Sequence, residues 1–283
     1  MTETQSPLLD LSDLPLPMRM LPGLRRCDSV RLHRLDATSA LAREKRALLD
    51  AGWSALKVEG FDEAPVLQTV REHAGAGAGD TTPLPLLVQE DLAVLDGDSG
   101  TLPWLSVCTP SHWAPEAKIG LHWAAAHAPV ADNDALMAAQ RQIIGLCTNG
   151  QCWQRSVYTL SADDRYDQHP TRQARTPWPD LQGQALAQRC WLRVERQQFF
   201  PVPGRSRQAV FSIRLQFERL DRSAATPDRA QALHDWLATM TQAVADYKGL
   251  TAVRPALLAW LALQCGPSSA GRPCHPSGAR RDD

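Results

Sequence analysis

Long apolar runs are missing from this chain: no stretch approaches the roughly 20 residues that a membrane-spanning helix needs. The first residues, MTETQSPLLDLSDLPLPMRM, lack the basic start and apolar run of a secretory signal. The expectation is therefore a cytoplasmic protein. An excess of charge of one sign is missing too. Thirty Lys and Arg against 31 Asp and Glu leave a net charge of -1, which argues against a chain whose work is neutralising nucleic-acid phosphates or an anionic membrane surface. There is no CxxC, no HExxH, no GxGxxG, no phosphate-binding GxxxxGK[ST] loop and no GxSxG. Zinc-ribbon, thioredoxin-like, dinucleotide-binding and serine-hydrolase readings lose their usual signatures. The seven cysteines are odd in number and scattered, as expected of free thiols in a reducing compartment.

What is present is an ordinary globular mixture, 43% apolar and 22% charged over 283 residues, enough for a substantial core. Nine tryptophans against three tyrosines suit a core or the walls of a cofactor cavity. Caps and periodicity predict a helix after Ser39 carrying Leu41, Lys45, Leu48 and Leu49, and a second from Asp62 with Pro65 in its first turn. They also predict one long helix from Thr226 and Pro227 through Trp236, Met240 and Tyr247 to Gly249, and a last helix over about Val253 to Gln264. Further helices are expected over Gly120 to Val130 and Asp134 to Cys147. The Gly75, Gly77, Gly79 run follows no strand and opens no helix, so it reads as a surface loop.

Strands are expected at Leu86 to Leu95, Trp104 to Cys108 and Cys152 to Leu160. The clearest pair, Trp191 to Phe200 and Ala209 to Phe217, flanks the turn-rich VPGRSRQ and forms a hairpin signal. In the second of these, Ala209, Phe211, Ile213, Leu215 and Phe217 share one face, leaving Ser212, Arg214 and Gln216 on the other. Strands in the middle with helices around them indicate one α+β domain. Its expected extent is residues 21–264, between an N-terminal extension (1–20) and a disordered tail (265–283).

Residues 108–130 hold the densest set of possible metal ligands: Cys108, His112, His122 and His127. Glu195 and Arg193 fall on one strand face, where a polar wall and a surface ion pair are the competing readings, and Arg196 points the other way. Glu90 and Asp91 are adjacent on a strand, so they cannot act on one atom, and turn or capping roles are expected. Ser111 is expected to cap the helical piece after it.

Five segments occur in order: Val88-Gln89-Glu90-Asp91-Leu92; Pro110-Ser111-His112-Trp113 with Glu116-Ala117-Lys118-Ile119-Gly120; Ala126-His127-Ala128-Pro129-Val130; Leu192-Arg193-Val194-Glu195-Arg196-Gln197; and Tyr247-Lys248-Gly249-Leu250. Together they resemble the signature of the haem-dependent oxidative N-demethylase alpha-subunit family. The resemblance implies a PAS-like antiparallel sheet flanked by helices around a non-covalent haem b. Electrons would come from NADPH through a partner flavin and iron–sulfur reductase. A small methylated amine would be oxidised with O2, releasing formaldehyde, with a folate-binding subunit as a further partner. Under it, His127 is the expected iron ligand and His122 and Cys108 are reserves. Glu195 would hold an alkylammonium or relay protons, His112 would donate to bound oxygen, and Arg193 or Arg196 would meet a propionate. A haem-based gas or redox sensor, or a structural subunit without haem, would share the same scaffold.

Overall fold

The computed structural model describes residues 8–77 and 79–266. The Cys274-His275 pair and nearly all of the C-terminal segment lie outside the described residues. The architecture is α+β: one seven-stranded antiparallel sheet flanked by helices. The strands are β1 (Arg25–Arg26), β2 (Leu56–Lys57), β3 (Asp91–Asp96), β4 (Trp104–Ser106), β5 (Trp153–Ser161), β6 (Trp191–Pro201) and β7 (Gln208–Arg219), in the order β1-β5-β6-β7-β3-β4-β2. The hairpin signal is borne out by β6 and β7, which pair from Trp191 with Arg219 to Pro201 with Ala209. From β5 through β6, β7 and β3 to β4, the register sets odd-numbered residues opposite odd ones: Arg155 faces Gln197, Glu195 faces Leu215, Ala93 faces Phe211 and Leu105. All odd residues of these five strands therefore share one face.

The helices are α1 (Ala40–Asp50), α2 (Ala64–His73), α3 (Leu84–Leu87), α4 (Trp123–His127), α5 (Asp134–Ala138), α6 (Gln140–Cys147), α7 (Gly183–Ala187), α8 (Leu220–Ser223), α9 (Pro227–Ala238), α10 (Gln242–Lys248) and α11 (Arg254–Gln264), with a 3-10 turn at Pro115–Ala117. Among the described residues no helix is long and apolar enough to cross a membrane. The odd face carries Ala93, Leu95, Leu105, Phe199 and Phe211, and these pack against Trp123 of α4, Leu136 of α5, Ile143 of α6, and Trp113 and Ile119 of the intervening loop. The even face packs Leu192 and Val194 beneath Leu233, Trp236, Val244, Leu257 and Leu261, and Leu92, Val94 and Val210 beneath Val66 and Val70.

Local chemistry explains where the expected elements begin and stop. Ser39 caps α1 by accepting from Ala42 N, as expected. Lys45 is fully buried, and its ammonium donates to the carbonyls of Val88, Gln89 and Glu90. Leu86 to Leu95 is not one strand. Pro83 and Pro85 favour a helical first turn, so Leu84–Leu87 coils as α3 and the ladder begins only at Asp91. The helix expected from Gly120 starts at Trp123, because Gly120 takes a positive φ and His122 caps. Asp134 to Cys147 breaks at Ala139 into α5 and α6.

The long helix to Gly249 is two. Thr239 bonds back to Asp235 O, and Arg254 donates to the carbonyls of Leu237, Ala238 and Met240, satisfying the end of α9. Thr241 then caps α10. Trp236 and Met240 are buried core, as their spacing predicts.

Candidate functional site

Glu195 projects from the centre of β6 onto the face covered by α4, α5 and α6. Its Oε2 accepts from Gln197 Nε2 at 2.7 Å, and Gln197 Oε1 in turn accepts from Arg155 Nε at 2.7 Å. Its Oε1 accepts from Ser111 Oγ at 2.5 Å. Ser111 does not cap the following turn, whose N-cap residue is Ala114. Instead its oxygen accepts from Arg193 Nη2 at 3.0 Å and Arg193 Nε at 3.3 Å. Arg193 and Glu195 are thus joined through a hydroxyl, and Arg193 is 0% exposed.

The rest of the Arg193 fork binds Arg165 O and Tyr166 O, while Phe217 lies 5.0 Å beneath the guanidinium. Arg193 therefore clamps the loop after β4 to the loop after β5. Glu90 and Asp91 do not act as turn or capping residues but tie distant segments to the sheet. Glu90 accepts from His33, and Asp91 accepts from the amides of Cys108 and Thr109.

Four cations lie within electrostatic reach of Glu195: Lys118, Arg155, Arg193 and Lys248. Lys118 donates to Ala126 O at 2.8 Å and sits 4.8 Å over the Trp113 ring, tying the loop to α4. Burial lowers its pKa and Glu195 opposes the shift. Lys248 donates to Tyr158 O, and burial pushes its pKa down to about 8 against the attraction of Glu195.

His127 closes α4 on the same side of the sheet. Its Nδ1 lies 2.8 Å from Trp123 O, and since a carbonyl only accepts, Nδ1 carries the proton. Its Nε2 makes no hydrogen bond to any described residue. Burial pushes the imidazole down to about 4; the carbonyl bond opposes this and Lys118 and Arg155 add to it. Trp123 stacks on the ring at 4.1 Å. The result is a neutral imidazole with a lone pair on Nε2, the form that ligates metals, with a carbonyl fixing the other nitrogen.

The structure brings together Glu195, Arg193 and, through Lys118, His127. His112 stands in a left-handed conformation (φ 61) beside Arg193, and desolvation together with Arg175 and Arg193 pushes its ring to about 4. His122 is not gathered here. Its Nδ1 caps α4 by accepting from Ala124 N, and its ring fills the space above Gly100 in the turn between β3 and β4. Arg196 lies on the opposite face, donating to Ser156 Oγ and Asp10 O. Cys108 is buried, and burial followed by Asp91 pushes its thiol up to about 12, so no thiolate is available there.

Sequence reasoning gave no role to Lys118, Arg155, Gln197 or Lys248. Lys118, Gln197 and Lys248 fall inside the ordered segments, which was the available signal; nothing local marks Arg155. Among the described residues no group of three or more His, Cys, Asp or Glu gathers to hold a metal ion, whereas an iron porphyrin asks the protein for only one or two axial side chains. Residues 81–258, more than half of the chain, match the family described as haem-dependent oxidative N-demethylase, alpha subunit-like.

Proposed function

The chain belongs to the haem-dependent oxidative N-demethylase, alpha-subunit-like family, and from that premise we propose that it holds a haem b against the α4–α6 face and oxidises a small methylated amine. The observation that carries this reading is His127: a neutral imidazole, fixed through Nδ1, with an uncommitted Nε2 on the side of the sheet where Glu195 lies. The donor set around it fits the group. Lys118, Arg155 and Lys248 are cations of the kind that pair with propionates, and Trp113, Trp123, Trp153 and Phe211 supply apolar walls. The strand run β5-β6-β7-β3-β4, with α4–α6 inserted between β4 and β5 and packed over one face, supports a PAS-like scaffold.

When bound, the haem supplies the oxidation of a methyl carbon by O2, with two electrons from NADPH delivered by a partner flavin and iron–sulfur reductase. The chain's own groups do the rest. Glu195 receives the alkylammonium and accepts its proton at Oε1 or Oε2. Ser111 and Gln197 hold that carboxyl group in one orientation, and Arg193 positions Ser111. His112 stands at the mouth of the same loop as a neutral hydrogen-bonding ring. The products are the shortened amine, formaldehyde and water, with formaldehyde passed to a folate-binding subunit.

The test is formaldehyde release by the haem-loaded protein with reductase, NADPH and a series of methylamines. Formaldehyde that requires both amine and NADPH, and falls sharply in Glu195→Gln, is the expected result. A haem that is reduced and binds oxygen without releasing formaldehyde from any amine contradicts catalysis and assigns the chain to gas or redox sensing.

A further inference from the structure

On the face of the sheet opposite Glu195, a cavity of about 360 Å³ is lined by Arg31, His33, Glu90, Ser156, Arg196 and Arg214. Arg196 and Arg214 are direct partners in the β6–β7 ladder, so two guanidinium groups face the same space from adjacent central strands. Like charges directly opposite each other destabilise a sheet. Local groups engage Arg196, which donates to Gln216 Oε1, Ser156 Oγ and Asp10 O, but leave the Arg214 side chain without a direct partner among the described residues. Glu90 is engaged by the backbone amide and Nδ1 of His33, the latter at 2.7 Å. Asp13 binds Arg25 at 2.7 Å and meets Arg196 only at 3.6 Å.

The side chains of Arg31 and Arg214 make no hydrogen bond or ion pair to any described residue. Burial lowers the pKa of Arg214, Glu90 opposes this and Arg196 adds to it. A partly buried Arg214 fork with no direct partner, facing Arg196 across the ladder, is costly alone and suited to an anion.

We propose that this cavity binds a small oxyanion, a metabolite bearing a phosphate or a pair of carboxylates, held by the free forks of Arg31 and Arg214 beside the positive charge of Arg196. The planar guanidinium fork matches the paired oxygens of both groups. Gln198 adds neutral hydrogen-bonding capacity at the same wall. The volume lies at the small end of the roughly 300–1,000 Å³ range of ligand pockets, which suits a metabolite rather than a tetrapyrrole. The site lies across the sheet from His127 and stands independently of the haem reading.

The experiment is thermal unfolding of the full chain with inorganic phosphate or succinate, against chloride at equal ionic strength. Either anion should raise the unfolding midpoint. Arg214→Gln should remove that response, with affinity weaker by roughly tenfold or more. Its midpoint in chloride should be no lower than the parent's, because the facing charge is gone. Arg31→Gln, at the exposed rim, should weaken the same response while leaving the fold intact. A larger response to phosphate assigns the phosphate class, and a larger response to succinate the dicarboxylate class. No shift with either anion, or equal shifts in the parent and both variants, overturns the proposal. Haem absorbance in Arg214→Gln should match the parent's, and loss of haem in that variant would overturn the separation of the two sites.

Discussion

Ser111 Oγ lies 2.5 Å from Glu195 Oε1 and 3.0 Å from Arg193 Nη2. Its single proton goes to the carboxyl group and its lone pairs receive the guanidinium, so one hydroxyl orders two charged groups that lie 82 and 84 residues away in sequence. The loop after β4 is thereby fixed against the centre of the sheet at the place where the candidate chemistry sits.

Removing that hydroxyl leaves Arg193 and Glu195 each short of a partner. Ser111→Ala should lower unfolding free energy by roughly 1.5–3 kcal/mol, the range for hydrogen bonds to charged groups. Urea denaturation measures it directly. A change below a few tenths of a kcal/mol would mean that the bridge does not hold in solution.

A larger loss is expected at Lys45, remote from the site. Its three ammonium protons match the three carbonyls of Val88, Gln89 and Glu90, and Asp91 lies 3.7 Å away. Lys45→Met strands those acceptors and leaves Asp91 without its nearest cation, at a cost of about 3–5 kcal/mol. Denaturant midpoints at constant m-value check this.

Much of this architecture was legible in the sequence, for definite reasons. Ser39, Thr226 and Pro227 mark helix starts because their side chains act within three or four residues, and the β6–β7 pair announces itself through alternation and a turn. Failures arose where distant groups decide. The end of α9 depends on Arg254, some fifteen residues on, reaching back to the carbonyls of Ala238 and Met240. Ser111 has the sequence environment of a cap, yet its partner is fixed by strand register. The Arg31–Arg196–Arg214 cavity joins segments that no local pattern links, and only the pairing of Arg196 with Arg214 brings it into view.

Acid should destabilise the protein through His127. The free ring titrates near 6.5, and the folded one near 4. Between those values the unfolded chain binds more protons than the folded chain, so stability is complete above about pH 6.5 and falls as pH drops toward 4. His112 acts in the same direction. Urea midpoints at about pH 7 and about pH 5 should therefore diverge, and His127→Gln should show a smaller divergence than the parent. Equal losses in both would remove His127 as a source of the effect.

The most direct measurement is a haemin titration of the purified chain, followed by visible absorbance, with parent and His127→Ala side by side. A saturable band with one haem per chain in the parent, lost or shifted in the variant, is the predicted result. A well-folded parent that stays colourless, or a variant with an unchanged haem spectrum, would contradict the account.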